Sequence, residues 1–255
     1  MVFLTLTDDS GISEMLGYVM ILGVTITGTI GLSVACLSVI SCSTGYIELV
    51  GAVNSVKALS DTMDRVSGSS SQCTAVYELY APEGYDLMVT DACDDLNAIR
   101  IYRNGVQIAQ YRTGGLSVSA PFRRVVYEGG AVYSNESGRA IIESRPHVFT
   151  VRSPAGETAL YMGLTCIHSE TLAVPGGRQA LLGLRHMSVV HDAYPLNAAD
   201  SIMIEVVTRE PECWSEHLSK IGFSTAIGDG MVTAVSGGMT EATIICKHVE
   251  VTGDV

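Results

Sequence analysis

The order of apolar and polar positions divides the chain into a long helical segment followed by many short strands. Residues 15–47 contain no Asp, Glu, Lys or Arg, and about 20 consecutive apolar residues are enough for a helix to cross a bilayer. A secretory signal peptide has a shorter apolar core and a basic start, whereas this run is longer and follows no Lys or Arg. We therefore predict a transmembrane helix over residues 12–45.

Small residues form a stripe along this helix. Thr27, Gly31 and Ala35 are spaced four apart, so they lie on one helical face. Such stripes let two membrane helices approach closely, although small residues are also common in membrane helices in general. The hydroxyl groups are compatible with lipid because each can bond a backbone carbonyl one turn earlier. We predict that this face packs against another helix.

Beyond the apolar run the helix is expected to continue as an amphipathic segment over residues 46–66. Apolar residues recur there at spacings of three, four or their sum, which indicates one buried stripe. The stripe consists of Tyr46, Val50, Val53, Leu59, Met63 and Val66. Residues 67–71 read SGSSS, a composition typical of a flexible linker, so we place the start of a separate head domain at residue 72.

The head, residues 72–255, has the pattern of an all-β domain. Alternating residues flank Asn104-Gly105, the strongest short signal for a β-hairpin because both turn positions need positive φ. Further strands are predicted at 74–80, 85–90, 123–143, 148–168, 179–190, 201–208, 231–235 and 242–251, and one short helix at 211–221. The predicted fold class is a long N-terminal helix plus an all-β, sandwich-like head with one short helix.

Charge and motifs exclude several function classes. The net charge is −12 with only 15 Lys and Arg, and nucleic-acid binding needs clustered basic residues, so no nucleic-acid partner is expected. The chain has no G-x-S-x-G, Walker A or H-E-x-x-H motif. We predict no catalytic residues and no cofactor, and an ectoenzyme with a site built from loops is the remaining alternative. Asp91, Asp94 and Asp95 lack EF-hand spacing and are interpreted as a solvated loop.

Seven cysteines bear on the compartment of the head. Cys36 lies inside the apolar run and Cys42 near its end, and the others are Cys73, Cys93, Cys166, Cys213 and Cys246. Their spread suits disulfides in an oxidising compartment, and buried free thiols are the alternative. Because five is odd, at least one head cysteine stays outside a disulfide or pairs with Cys42.

Two Cys-x-His segments share a spacing that suits a metal site. On a strand, Cys166 and His168 face the same side, as do Cys246 and His248. If the two strands were neighbours, these residues would offer zinc two sulfurs and two nitrogens. Structural zinc sites usually have ligands closer in sequence, so we predict no metal. A disulfide between the two cysteines, or two buried thiols beside ordinary histidines, are the simpler interpretations.

A glycosylation sequon, Asn135-Glu136-Ser137, lies in a predicted turn. Sequons of this length also occur by chance. A glycan on Asn135 would place the head outside the cell.

The segment DDSGISEMLGYVMILG, residues 8–23, resembles the N-terminus of archaeal type IV pilin-like proteins. The resemblance implies a class III signal peptide, in which a prepilin peptidase removes residues 1–11 after Gly11 and leaves Ile12 as the first residue. Ser10 departs from the pattern, since the family usually has Lys or Arg there. The resemblance also implies that Glu14 pairs with the free amino terminus of a neighbouring subunit; a carboxylate in the headgroup region is the alternative.

A second, shorter resemblance lies in the head. Tyr127 to Tyr133 reads YEGGAVY, which is similar to the head regions of uncharacterised archaeal pilin-like proteins. The resemblances imply a cell-surface subunit that is stored in the membrane, assembles with other pilin-like subunits through its helix, and uses an extracellular head for adhesion or surface contact. The alternative is an uncleaved, membrane-anchored extracellular binding protein. Lys57 and Arg65 follow the apolar run, and the positive-inside rule by itself favours the opposite orientation.

Overall fold

The computed structural model describes residues 9–69, 73–93, 97–170 and 172–254, and the side chains of 9–16, 38–42 and 254 are outside the description. The elements are α1 (Asp9–Ser67), β1 (Thr74–Tyr80), β2 (Asp86–Thr90), β3 (Ala98–Arg103), β4 (Val106–Arg112), β5 (Gly115–Ala120), β6 (Arg123–Glu128), β7 (Ala131–Glu136), β8 (Arg139–Ser144), β9 (His147–Arg152), β10 (Thr158–His168), β11 (Leu172–Val174), β12 (Gln179–Pro195), β13 (Ser201–Val207), α2 (Pro211–Lys220), β14 (Ser224–Gly228), β15 (Met231–Gly237) and β16 (Met239–Asp254). The chain divides into two compact units, Met1–Glu48 and Leu49–Val255.

The first unit carries the apolar part of α1. Gly17–Leu37 spans 21 residues with a mean hydropathy of 2.0, and none of it is buried. At about 1.5 Å per residue this segment is roughly 31 Å long, which matches the hydrocarbon core of a bilayer. Its hydroxyls bond within the helix: Thr25 donates to the Ile21 carbonyl at 2.7 Å and Ser33 to the Thr29 carbonyl at 2.8 Å. The segment is compatible with membrane anchoring.

The second unit is the β-rich head, and the prediction of an all-β head with one short helix is confirmed. Its strands form three sheets, ordered β1-β12-β16-β10-β9, β11-β2-β5-β6-β7-β8, and β14-β15-β13-β3-β4. Among the pairs between described strands, β10 with β16 is parallel, and the others are antiparallel. The hairpin at Asn104-Gly105 is also confirmed, because both residues have positive φ, 50° and 79°, between β3 and β4.

One hydrophobic core is built around the last five turns of α1. Val53, Leu59, Met63 and Val66 are buried there as predicted, but Val50 is 39% exposed and Tyr46, in the first unit, is 59% exposed. The stripe facing the sheets instead begins at Leu49 and continues through Ala52, Val53, Val56, Leu59, Met63 and Val66. With 3.6 residues per turn, stripes counted from adjacent positions fit almost equally well, so the position of the sheets decides which one is buried.

The predicted linker, residues 67–71, starts at a residue that is still helical in the structure. Ser67 is the last helical residue and is only 2% exposed, with its hydroxyl donating to the Asp64 carbonyl at 3.1 Å. The Gly68 amide donates to the same carbonyl at 2.9 Å and ends the helix. Residues 70–72 lie outside the described part of the chain. The helix is therefore packed into the head before any linker begins.

The segment that resembles other pilin-like heads forms a buried hairpin between β6 and β7. Gly129 and Gly130 make its turn with φ of 60° and 94°, a conformation that glycine adopts without steric cost. Tyr127 belongs to the core around α1, whereas Tyr133 belongs to a second core beneath α2. Because its two strands contribute to both cores, this hairpin joins them.

A buried carboxyl lies at this turn. Glu128 is 2% exposed, and its Oε1 accepts a hydrogen bond from Trp214 Nε1 at 3.2 Å. Burial raises the pKa of Glu128 to about 7, although the Trp214 hydrogen bond partly opposes the shift. Below about pH 4.5 the carboxyl is protonated in both the folded and the unfolded state, so it creates no pH dependence there. As pH rises from 4.5 to 7, the unfolded state ionises first, and stability is lost.

We expect Glu128→Gln to stabilise the head at pH 8 by about 1–3 kcal/mol and to have much less effect at pH 5, because the amide has no charge to bury. Urea unfolding of the full-length protein in detergent at both pH values measures this difference. Glu78→Gln, at an exposed position of β1, is the matched control and should leave the pH profile unchanged. Equal destabilisation by Glu128→Gln at both pH values would contradict the expectation.

Candidate functional site

The pairing of β10 with β16 brings the two Cys-x-His segments together. In the parallel register Cys166 lies opposite His248, and Cys246 lies opposite Leu164. Because residues two apart on a strand share a face, Cys166, His168, Cys246 and His248 all lie on one face of this sheet. The sequence analysis left open whether these strands are neighbours, and the structure shows that they are.

The two cysteines form a disulfide across the strand pair. Cys166 and Cys246 have Cα atoms 6.7 Å apart and are separated by 80 residues, and each is 1% exposed. Among the other head cysteines, Cys73, Cys93 and Cys213 lie outside this disulfide. Burial raises the pKa of the Cys213 thiol to about 12, which makes it a poor nucleophile.

His168 and His248 lie side by side, each two residues after a cysteine of the disulfide and on the same face of the sheet. His168 Nε2 is 2.7 Å from His248 Nδ1, and the rings are stacked with centroids 5.0 Å apart. A contact of this length between two imidazole nitrogens is a hydrogen bond in which one nitrogen donates a proton and the other accepts it. Burial lowers the pKa of His248, and the neighbouring His168 lowers it further. The pair therefore favours a state in which His248 is neutral.

We call Cys166, His168, Cys246 and His248 the Cys-His cluster. Asp91, which we interpreted from the sequence as part of a solvated loop, lies next to this cluster. Asp91 Oδ1 is 3.8 Å from His168 Nδ1 and accepts a hydrogen bond from the Ser169 amide at 3.3 Å. Burial acts to raise the pKa of Asp91, but hydrogen bonds from the Cys93 side chain and nearby backbone amides outweigh it and lower the pKa. The sequence has no spacing pattern that predicts Asp91 beside His168. The Ala92 amide donates to the Ile167 carbonyl at 2.8 Å, and this hydrogen bond holds Asp91 next to the end of β10. Asp94 and Asp95 lie outside the described residues.

Two cavities give access to the cluster. One, of about 440 Å³, is bordered by both cysteines, both histidines and Cys93, with Tyr111 on β4 across from them. Tyr111 donates to Asp192 at 2.6 Å. The second, of about 470 Å³, is bordered by His168 together with the carboxylates of Asp91, Glu170 and Glu250. His168 therefore borders both cavities, one lined by cysteines and the other by acidic residues.

The sequon residue Asn135 has a structural role at the end of β7. Its Nδ2 donates to Glu210 Oε2 at 2.9 Å, and its Oδ1 accepts from the Gly138 amide at 3.0 Å. Glu210 is 1% exposed and pairs with Arg124 at 2.6 Å. The nitrogen that would carry a glycan is therefore already bonded to a buried carboxylate. Glycosylation of Asn135 stays a prediction.

The predicted assembly residues lie on the first unit. Thr27, Gly31 and Ala35 are exposed along α1, and Thr27 donates to the Gly23 carbonyl at 2.7 Å. Gly23 extends the stripe by one turn, a member that the sequence analysis missed although the same spacing of four identifies it. The remaining predicted residues, Gly11, Ile12 and Glu14, fall within the backbone of α1, and their side chains are outside the described part.

A family of unknown function, DUF7289, matches residues 11–252. The chain belongs to this family. Its match spans both the apolar helix and the head, so helix and head occur together as the unit that defines the DUF7289 family. No curated protein and no solved structure matches the chain.

We expect Cys166→Ser to lower the free energy of unfolding of this DUF7289 protein by about 2–5 kcal/mol, because it opens a long disulfide loop in the unfolded state. Urea unfolding of the full-length protein under non-reducing conditions measures the loss, and reduction of the wild type should reproduce it. Cys73→Ser, outside the disulfide, is the matched control. A non-reducing peptide map that joins Cys166 to any cysteine other than Cys246 would contradict the expectation.

Proposed function

We propose that this protein is an archaeal type IV pilin-like cell-surface subunit, stored in the membrane by α1 and assembled through that helix with other pilin-like subunits. One observation carries the proposal: a single helix, Asp9–Ser67, opens on the S-E-M-L-G segment, has an unburied apolar segment at Gly17–Leu37 and supplies a core stripe from Leu49 to Val66. A helix that belongs to the head core cannot be an independent tether. This continuity of α1 supports a subunit in which the helix that assembles is also part of the head core.

The stripe on α1 supports helix-to-helix assembly. A Cβ atom placed on Gly23 or Gly31 would meet nothing within 4 Å, and the Thr27 hydroxyl is satisfied within the helix. The side chains on this face are therefore small, and the Thr27 hydroxyl is already hydrogen-bonded within the helix. These properties let membrane helices pack closely. In the proposed assembly, the helix of another subunit lies against this stripe, and Glu14 meets the amino terminus of a neighbour.

The disulfide supports an extracellular head. Disulfides persist outside the cell and are rare in the cytosol, and Cys166–Cys246 is buried in the head. On this orientation the N-terminus lies on the cytoplasmic side, where a prepilin peptidase cleaves after Gly11. The head then presents its surface for adhesion or contact.

The second candidate is an uncleaved, membrane-anchored extracellular binding protein that does not polymerise. It is favoured by two observations at the processing site. Ser10 stands where related pilins have Lys or Arg, and α1 begins at Asp9, so the bond after Gly11 lies inside a helix. A peptidase needs an extended backbone at the bond it cleaves, and the first turn must therefore unwind before cleavage.

The N-terminal mass of the protein isolated from its native membrane distinguishes the two candidates. We expect a chain that begins at Ile12. Ser10→Arg should raise the cleaved fraction, and Gly11→Leu should abolish cleavage because a bulky side chain would stand at the scissile bond. A native chain that begins at Met1 would overturn the processed-subunit proposal and leave the anchored binding protein.

Assembly through the stripe is tested separately. We expect Gly31→Leu to reduce cross-linking between subunits in native membranes roughly tenfold, the change that a loss of about 1.4 kcal/mol in association free energy produces, because leucine prevents the close approach that small residues allow. The substitution should leave the single chain intact, because nothing lies within 4 Å of the new Cβ. Ser33→Leu is the matched control, about 200° around the helix from Gly31. Equal cross-linking in both variants would show that this face is not the assembly face.

A further inference from the structure

The Cys-His cluster of the head has the composition of a metal site as well as a disulfide. We propose that Cys166, His168, Cys246 and His248 bind a thiophilic divalent ion of the zinc class when the disulfide is reduced, and that disulfide formation closes the site. This inference does not rest on the proposed function, which depends on α1.

Three of the four proposed ligand atoms already converge. The sulfurs of Cys166 and Cys246 and a ring nitrogen of His248 all lie within 4.8 Å of one another. His168 lies outside this group of three, but its Nε2 is 2.7 Å from His248 Nδ1 and becomes the fourth donor when the ring turns toward the sulfurs. Two sulfurs and two imidazole nitrogens are a standard tetrahedral zinc set. With Zn–N bonds of 2.0–2.1 Å, the two nitrogens must separate to about 3.3 Å, and the half-buried His168 ring must also move toward the sulfurs.

The hydrogen bond between the histidines marks where the ion would lie. Two imidazole nitrogens face each other and share one proton. A metal ion placed between them would bind both nitrogens, and the displaced proton would move to the other nitrogen of the donating ring, so that both imidazoles stay neutral. Asp91 Oδ1 lies 3.8 Å from His168 Nδ1, which is too far for a direct hydrogen bond but places a carboxylate on the side of the ring away from His248.

Burial and access fit a bound ion. The cysteines are 1% exposed, so the sulfurs lie inside, whereas His168 is 31% exposed in its side chain. The cavity of about 440 Å³ beside them provides the entry path that a site formed after folding requires. The register explains the arrangement, since Cys166 pairs with His248 while Cys246 lies two residues earlier on β16.

The redox step needs a reductant, which we take to be a dithiol. One thiolate of the dithiol attacks a disulfide sulfur, and the second thiol then displaces the protein. The products are the oxidised dithiol and the two protein thiols, so two electrons and two protons reach Cys166 and Cys246. Metal binding releases those two protons as the thiols become thiolates. In the reverse exchange the oxidised dithiol accepts two electrons and two protons and is released as the dithiol, while Cys166 and Cys246 form the disulfide; both anionic ligands are then lost and the ion is expelled.

Cobalt(II) is the probe for the test, because tetrahedral thiolate ligation gives it an intense visible absorption. The full-length protein in detergent is titrated before and after treatment with a phosphine, which takes up the oxygen of one water molecule and leaves both thiols protonated. We expect one equivalent to bind with tetrahedral thiolate absorption in the reduced protein, zinc to displace it, and the oxidised protein to show no such spectrum. Equal binding in both redox states would overturn the proposal.

Variants separate the site from chance binding. Replacing His168 and His248 together by Ala should weaken cobalt binding at least roughly 100-fold. His191→Ala, at an exposed position of the adjacent strand β12, is the matched control and should bind as the wild type does. Unchanged affinity in the double variant would overturn the assignment of the histidines as ligands.

A measurement on the unmodified protein does not depend on how the variants fold. In the reduced wild type, zinc should slow alkylation of Cys166 and Cys246 at least roughly tenfold, since a metal-bound thiolate is a poor nucleophile. Cys73, outside the cluster, is the internal reference and should react at the same rate with and without zinc. Equal alkylation of Cys166 and Cys246 in both conditions would overturn the proposal.

Discussion

The parallel pairing of β10 with β16 is the constraint on which the rest of the head depends. These strands lie in the middle of a five-stranded sheet, and alternate residues point to opposite faces. Ile167, Val249 and Val251 face the core around α1, whereas Leu164, Ile244 and the two cysteines face the core beneath α2. One pair of strands therefore supplies a side of both cores, and the same register places the Cys-His cluster.

This placement gives the disulfide a position that matters for the whole fold. Strand β16 also pairs along its length with β12, which in turn pairs with β1. A cross-link between β10 and β16 thus ties residues separated by 80 positions at the centre of the sheet. The histidines at the edge of the cross-link are less buried than the sulfurs, so solvent reaches the histidines more readily than the disulfide.

The helix α1 combines two environments that impose opposite demands. From Gly17 to Leu37 no residue is buried, and the apolar surface requires lipid or other helices. From Leu49 onward one face is enclosed by sheets. Small residues dominate the stripe in the first segment, and larger aliphatic residues fill the second. The same helical period therefore leaves a stripe of small residues exposed in one half and places a stripe of larger residues in the core in the other.

Local chemistry made much of this architecture predictable. The length of the uncharged run, the Asn104-Gly105 turn and the α2 segment each follow from preferences of neighbouring residues, and each element forms where it was expected. Strands β5, β11 and β14 were missed. Gly115–Ala120 and Ser224–Gly228 are rich in small residues and glycine, which carry little strand signal, and Leu172–Val174 is only three residues long.

The sequence by itself determined the long helix, the β-rich head and the two Cys-x-His pairs as candidate ligands. Only the tertiary structure decided that the pairs are neighbours, that Asp91 joins them, and that Leu49 rather than Val50 faces the core. These contacts join residues far apart in the chain or depend on the position of a sheet. Periodicity specifies which residues share a face, but long-range strand pairing decides what that face meets.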